Sequence, residues 1–373
     1  MKAAQLCKAV LPWLVVLAFC LPASAAITLY DKDETSFNVD GFFNTFYVNH
    51  DADTGQEQAR VKMGFLPNYI GFNFSKQVGE LKLGGRSSFW VSINDSDAVA
   101  TSTGIDVRQF YGTVDGDWGQ VLFGKDFTLF NRSNIFNDEI LIGFGKTGGI
   151  PGIDTDGVSF GNIGSGYTYP LPSAQITYRT PVLAGFKLAV GLIDPSRTSG
   201  DGGEETMPRI EGELTYSKNF DRFSVLAWTG FLTQSSEKGV NGDVDSQGFS
   251  YGLNAKCAGF SLTGSGYTGE GIGKVLGPGL AVDTLLEAGT EVDSNGYLVQ
   301  GSYTIDKVRL VASYGYSELE TAANLEDETV IGAVIYSVND YLKLVAEYNV
   351  ETITSAGVES DIDTIALGAV LNF

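Results

Sequence analysis

The sequence predicts an all-β protein, a sixteen-stranded antiparallel barrel that spans a membrane. Three observations carry this expectation. Short segments repeat apolar residues at every second position, their connections alternate between tight and long, and the chain stops on an aromatic residue, Phe373. A period of two gives a strand one greasy and one tolerant face. In a membrane barrel the greasy face meets lipid, and the other lines a lumen that accepts Ser, Thr, Arg and Gly.

Residues 1–26 read as an export leader ahead of a barrel over 27–373. Lys2 and Lys8 supply a positive start, residues 11–21 an apolar stretch, and Ala23-Ser24-Ala25 the small-x-small cleavage pattern. Leu17-Ala18-Phe19-Cys20 has the outline of a lipid-attachment box, but bulky Phe19 stands where a small residue is needed. Cys7 and Cys20 leave with the leader, so Cys257 remains alone and no intramolecular disulfide can form. Loss of Lys2 and Lys8 takes the basic count from 24 to 22 against 45 acids, a formal charge of −23. Such a chain does not bind nucleic acid through phosphate neutralisation. Its 12% aromatic and 43% hydrophobic content argues against the disorder that acidity often signals. After Ala26 no apolar run approaches the roughly 18 residues of a membrane-spanning helix.

The alternation places strands near 37–48, 68–76, 81–93, 106–115, 119–130, 174–181, 185–193, 209–217, 222–233, 247–257, 260–268, 297–305, 307–316, 328–338, 341–351 and 361–373. Most have about the 9–11 residues that a tilted strand needs to cross a bilayer. Tight connections sit at Gln77-Val78-Gly79-Glu80, Gly116-Asp117-Trp118, Val182-Leu183-Ala184, 218–221, Ala258-Gly259, Asp306 and Asn339-Asp340. Between them lie the long polar segments 49–67, 94–105, 131–173, 194–208, 234–246, 269–296, 317–327 and 352–360. Short turns on one side and long loops on the other are what an up-and-down outer-membrane barrel requires. A soluble Greek-key sandwich has no reason to alternate so strictly. With both chain ends on the short-turn side the strand number must be even. Tyr47, Phe186, Phe231, Phe260, Tyr303, Tyr336 and Tyr348 fall near strand ends, where aromatic girdles belong.

Several motifs resemble those of the general porins of Gram-negative outer membranes. Ile27-Thr28-Leu29-Tyr30-Asp31-Lys32-Asp33 is similar to that family's mature start. Arg108-Gln109-Phe110-Tyr111-Gly112 leading to the stretch from Trp118 to Lys125 is similar to its fourth and fifth strands. Ile176-Thr177-Tyr178-Arg179-Thr180-Pro181 followed by Ala184-Gly185-Phe186 resembles an internal hairpin, and Leu371-Asn372-Phe373 its assembly signal. The resemblance implies a homotrimer of sixteen-stranded barrels in outer-membrane lipid and lipopolysaccharide, with the third external loop, here 131–173, folded into each lumen. It also implies passive diffusion of ions and small hydrophilic solutes, without cofactor, metal or enzymatic activity. A solute-selective channel and a structural or adhesive barrel are the alternatives. Arg60-Val61-Lys62-Met63-Gly64-Phe65-Leu66-Pro67 departs from the family pattern, since Pro67 cannot sit inside a hydrogen-bonded ladder.

A basic side chain at the bilayer midplane costs about 2–4 kcal/mol on a barrel's outer face. Phase therefore places Arg86, Arg108 and Arg179 in the lumen, opposite in parity to Phe89 and Val91, to Tyr111, and to Ile176 and Tyr178. Lys125 joins this expected basic wall on a strand whose phase Val121 and Phe123 blur. Arg108 and Arg179 match positions where the resemblance implies basic residues facing the third loop. That loop offers Asp138, Glu139, Asp154 and Asp156 as an acidic face across the narrowest part. The overall acidity predicts mild cation selectivity.

Other patterns lack their required context. Gly145-Lys146-Thr147 has Ile140 where a phosphate loop needs its first glycine, and Asp51-Ala52-Asp53-Thr54-Gly55 lacks the glutamate of a calcium loop. Gly269-Glu270-Gly271-Ile272-Gly273 opens a loop rather than a helix, and His50, the single histidine, reads as a solvated residue at a strand edge.

Overall fold

The computed structural model describes residues 26–93, 104–147, 158–195, 204–239, 242–275 and 284–373. The leader read over 1–26 lies outside the described residues except for Ala26. In chain order the strands are β1 (Ile27–Lys32), β2 (Thr35–Ala52), β3 (Glu57–Lys62), β4 (Asn68–Val78), β5 (Leu81–Val91), β6 (Asp106–Gly116) and β7 (Gly119–Asp126). After the short helix α1 (Arg132–Phe136) come β8 (Ser173–Arg179), β9 (Phe186–Ile193), β10 (Arg209–Asn219), β11 (Phe223–Gly239), β12 (Gly242–Cys257) and β13 (Phe260–Glu270). The chain ends with the small hairpin β14 (Leu286–Glu287) and β15 (Thr290–Glu291), then β16 (Asp293–Ile305), β17 (Val308–Leu319), β18 (Leu325–Ser337), β19 (Leu342–Ser355) and β20 (Val358–Asn372).

Eighteen strands join one sheet, in which β1 and β3 pair only with β2. The other sixteen pair antiparallel with their neighbours, and β2 closes the ring against β20 from Phe42↔Asn372 to Ala52↔Ile362. Closure leaves no wall strand with an unpaired edge, which hydrocarbon would penalise. Each of the sixteen segments read from the sequence is found as a strand of this ring.

Three of the expected loops, 234–246, 317–327 and 352–360, are largely ladder. β17 and β18 pair out to Leu319↔Leu325, and β19 and β20 out to Ser355↔Val358 around Ala356-Gly357. These hairpins rise above the bilayer, where water wets both faces and the apolar alternation fades. The segment 119–130 stops early, at Asp126, because the chain then turns into the lumen.

The Pro67 departure has a structural counterpart. β3 pairs with the upper part of β2 and β4 with its lower part, so together they make one wall strand broken at 63–67. The break pushes Met63, Phe65 and Leu66 inward, where they are buried. Lys62 is buried with them, its ammonium 5.7 Å from the Phe144 ring centroid.

Outside, the greasy faces are exposed as lipid contact requires, with Tyr47, Phe186, Phe231, Phe260, Tyr336 and Tyr348 among them and Tyr303 stacked on Phe260. Inside, two apolar clusters fill part of the lumen. One joins Ile140 and Phe144 of the third loop to Phe46, Ile331, Ile335 and Val345 of the wall. The other joins Phe130, Ile135, Ile163 and Tyr167 to Leu232, Tyr267 and Leu298. Small wall residues make room for this packing. A Cβ on Gly368 would come within 2.3 Å of the Phe46 ring. Gly368→Val therefore overpacks the lumen and should cost about 1–3 kcal/mol, read as a lower urea midpoint for unfolding from lipid vesicles.

Candidate functional site

Between β7 and β8 the described residues 127–147 and 158–172 enter the lumen and reach the wall formed by β10 to β19. A backbone turned inward must find acceptors for its N–H groups. Wall carboxylates supply them. Leu129 and Phe130 N–H both donate to Glu211 Oε2, at 2.6 and 2.8 Å, and Ser133 donates through N–H and hydroxyl to Glu213 Oε1. Further along, Glu139 N–H donates to Gln300 Oε1 at 2.9 Å, and Phe144 and Gly145 N–H donate to Glu347. Gly166 N–H donates to Ser317 Oγ at 2.8 Å, and Trp228 Nε1 donates to Asn134 Oδ1 at 2.7 Å. The loop is thus tied to β10, β11, β16, β17 and β19, and it also meets the opposite side of the barrel, where Phe65 N–H donates to Gly143 O at 3.0 Å and Phe127 packs on Trp90.

A buried ion cluster completes the attachment. Lys146 pairs with Asp327 and lies 3.6 Å from Glu351, while Lys274 sits 3.0 Å from Asp327. Burial works against the Lys146 ammonium, but Asp327 and Glu351 outweigh it and hold its pKa above the ordinary 10.5. With the folded value raised, the pairing is fully present at neutral pH and is lost only as pH climbs beyond that range.

Of the basic residues expected in the lumen, Arg86 points inward and is fully engaged. It donates to both Asp40 carboxylate oxygens at 2.8 and 3.0 Å, to Asn73 at 2.8 Å and to Gln109 at 2.8 Å. Arg179 also points inward and donates to Gln120 at 3.2 Å. Arg108 reaches the inner side by another route than strand phase. Tyr111 is the cross-strand partner of inward Arg86, and Phe110 is exposed to lipid, so simple alternation would turn Arg108 outward. A register shift between Ser88 and Trp90 breaks the alternation. The guanidinium then lies 5.2 Å over the Trp90 ring and donates to Tyr169 at 3.0 Å and Asp106 at 2.7 Å.

Lys125 requires correction. It is the cross-strand partner of Phe110 and Ala174, in step with exposed Phe123, and so lies on the outer face at the loop end of β7. There its long stem lets the ammonium reach the headgroup zone at little cost. Asp138 and Glu139 require correction too. Both are buried, their carboxylates committed to partners within the barrel. Asp138 accepts from Tyr167, from Asn162 and from Gln300, and Glu139 pairs with Arg309 of β17. Burial and the Asp138 carboxylate together hold the Tyr167 hydroxyl well above the ordinary tyrosine pKa, so it remains a donor. Asp154 and Asp156 lie outside the described residues. His50 is buried rather than solvated, with Nδ1 2.9 Å from Thr364 Oγ1 and its ring against Phe144. Phe373 stacks on Phe43 and exchanges backbone hydrogen bonds with Gly41.

The anchoring acids Glu211, Glu213, Asp327, Glu347 and Glu351 were not anticipated. Their signal was present, since each is a carboxylate at an inward position of β10, β18 or β19.

A family model described as Gram-negative porin matches residues 13–354. No curated protein matches the chain. Among solved structures, the anion-selective porin from Comamonas acidovorans aligns at 15% identity and TM-score 0.68, covering 91% of this chain and 100% of its own. The outer membrane channel DcaP of Acinetobacter baumannii aligns at 18% identity and TM-score 0.70, covering 93% and 100%. Salmonella typhi OmpF, in complex with daunomycin, aligns at 14% identity and TM-score 0.60, covering 93% and 100%.

Lys146→Met strips the buried Asp327 and Glu351 of their loop partner, and breaking such a pair typically costs about 3–5 kcal/mol. The variant should show larger and noisier single-channel currents than the parent at pH 7. Identical currents would mean that the ion cluster does not hold the loop.

Proposed function

We propose, for a chain that belongs to the Gram-negative porin family and crosses the outer membrane as a β-barrel channel, that ions and small hydrophilic solutes diffuse passively through its lumen. The observation that carries this reading is a closed ring of antiparallel strands whose third loop is hydrogen-bonded to the inner wall and so narrows the lumen. Arg86, Arg108 and Arg179 form the polar lining, each partly offset by a neighbour: Asp40, Asp106 and Gln120. Such a lining orders water and dipolar solutes and penalises apolar ones.

Cation selectivity was expected from net charge alone. The acidic exterior still enriches cations near the mouth, but the two described loop acids assigned to the passage, Asp138 and Glu139, are spent on the wall. The proposed selectivity is therefore set by the basic lining and not by those acids.

The assembly unit proposed is a homotrimer in outer-membrane lipid and lipopolysaccharide, in keeping with the trimer form of Vibrio cholerae OmpT, which aligns at 16% identity and TM-score 0.57. Residues 1–26 act as the removed leader, and Phe373 as the assembly signal. Planar-bilayer recording with graded neutral solutes tests the channel. Stepwise currents in groups of three, with a sharp size limit for the solutes that lower conductance, are expected. Absence of steps would favour a structural or adhesive barrel.

A further inference from the structure

We propose that the short-turn end of the lumen holds a binding station for small oxyanions, built around Arg222, Lys256 and Arg309. The inference deepens the channel reading and rests on it for its place in transport. It begins from an asymmetry that the net charge of −21 conceals. At the short-turn ends of the wall strands, inward register positions carry Lys82, Arg179, Lys187, Lys256, Arg309 and Lys343. Against them stand Asp115, directly across from Lys82, and Asp31 in the short β1. The inward acids of β10, β18 and β19 lie higher and are consumed by the loop.

Within this basic zone a cavity of about 570 Å³ opens at the ends of β11, β12, β13, β16 and β17. Arg222, Lys256 and Arg309 line it together with the hydroxyls of Ser224, Ser261 and Ser302, the exposed rings of Phe220, Phe223 and Phe260 form its outer rim, and no carboxylate among the described residues lines it. Arg222 and Lys256 have no ion-pair partner among the described residues, whereas Arg309 is shared with Glu139 and donates to Ser302 Oγ at 3.3 Å. Two uncompensated cations, a planar guanidinium and several hydroxyl donors suit a tetrahedral oxyanion. Phosphate takes charge-assisted hydrogen bonds from such donors, and rings of Arg and Lys favour anions in pores. With Glu139 committed to Arg309, a metal cation would meet the unpaired charges of Arg222 and Lys256, and a neutral sugar would leave those charges unanswered.

The ligand class is a phosphate group, free or carried on a small organic ester. Isothermal titration of the detergent-solubilised full-length barrel with inorganic phosphate reads the station whether or not the barrel conducts. Saturable binding is expected, weakened at least tenfold in the double variant Arg222→Gln, Lys256→Gln, and restored towards the parent when Lys256→Arg replaces Lys256→Gln. Competition by glycerol 3-phosphate would assign the site to phosphate esters as well as the free ion. Lack of competition would assign it to free phosphate. In planar bilayers the same phosphate should block chloride current from the short-turn side, and the reversal potential in a tenfold KCl gradient should carry the sign of chloride. No saturable binding, or equal binding in the double variant, overturns the station. Binding without any stepwise current overturns the channel and leaves the station standing.

Discussion

A polar backbone segment folded inside a barrel is stable only if its N–H groups meet acceptors that the wall holds ready. Here the acceptors are carboxylates. Glu211, Glu213 and Glu347 project inward and each takes two donors of the third loop. A buried N–H left without an acceptor costs about 1–3 kcal/mol, so these contacts remove the main penalty of turning the backbone inward. The apolar clusters around Phe144 and Tyr167 then exclude water from the seam. The seam runs along β10 to β19, and further contacts at Phe65 and Trp90 brace the loop on the opposite side.

The acidity of the chain acquires a different meaning in this light. Part of it is structural, because the inward acids of the upper barrel hold the loop and are not presented to solute. Lys146 and Lys274 close the network by sharing Asp327. The cations left over face water at the opposite end. Along the inner wall, a single formal charge averages an acidic loop-end zone and a basic short-turn one.

The barrel was legible in the sequence because lipid enforces a period of two wherever a strand crosses it. Outside the bilayer that enforcement ends, and the upper parts of β11, β12, β17 to β20 were read as loops for this reason. Pro67 announced a broken strand, and the inward break at 63–67 is what it announced. Side-chain direction was harder. The bulge at Ser88 and Trp90 defeated phase for Arg108, and Lys125 follows the outward step of Phe123. No local pattern says which way a loop carboxylate turns, so Asp138 and Glu139 could be assigned only by position. Their partners, Gln300 and Arg309, lie more than 150 residues away.

The central claim is that wall carboxylates hold the third loop against β10 to β19 and bury the inner face behind it. Cysteine accessibility tests it directly, in a Cys257→Ser background that removes the exposed native thiol. A bulky anionic thiol reagent applied during single-channel recording should sharply reduce current through Arg179→Cys and leave Ser313→Cys unaffected, since Ser313 is buried behind the loop. Rapid block of Ser313→Cys, with Arg179→Cys untouched, would contradict the account.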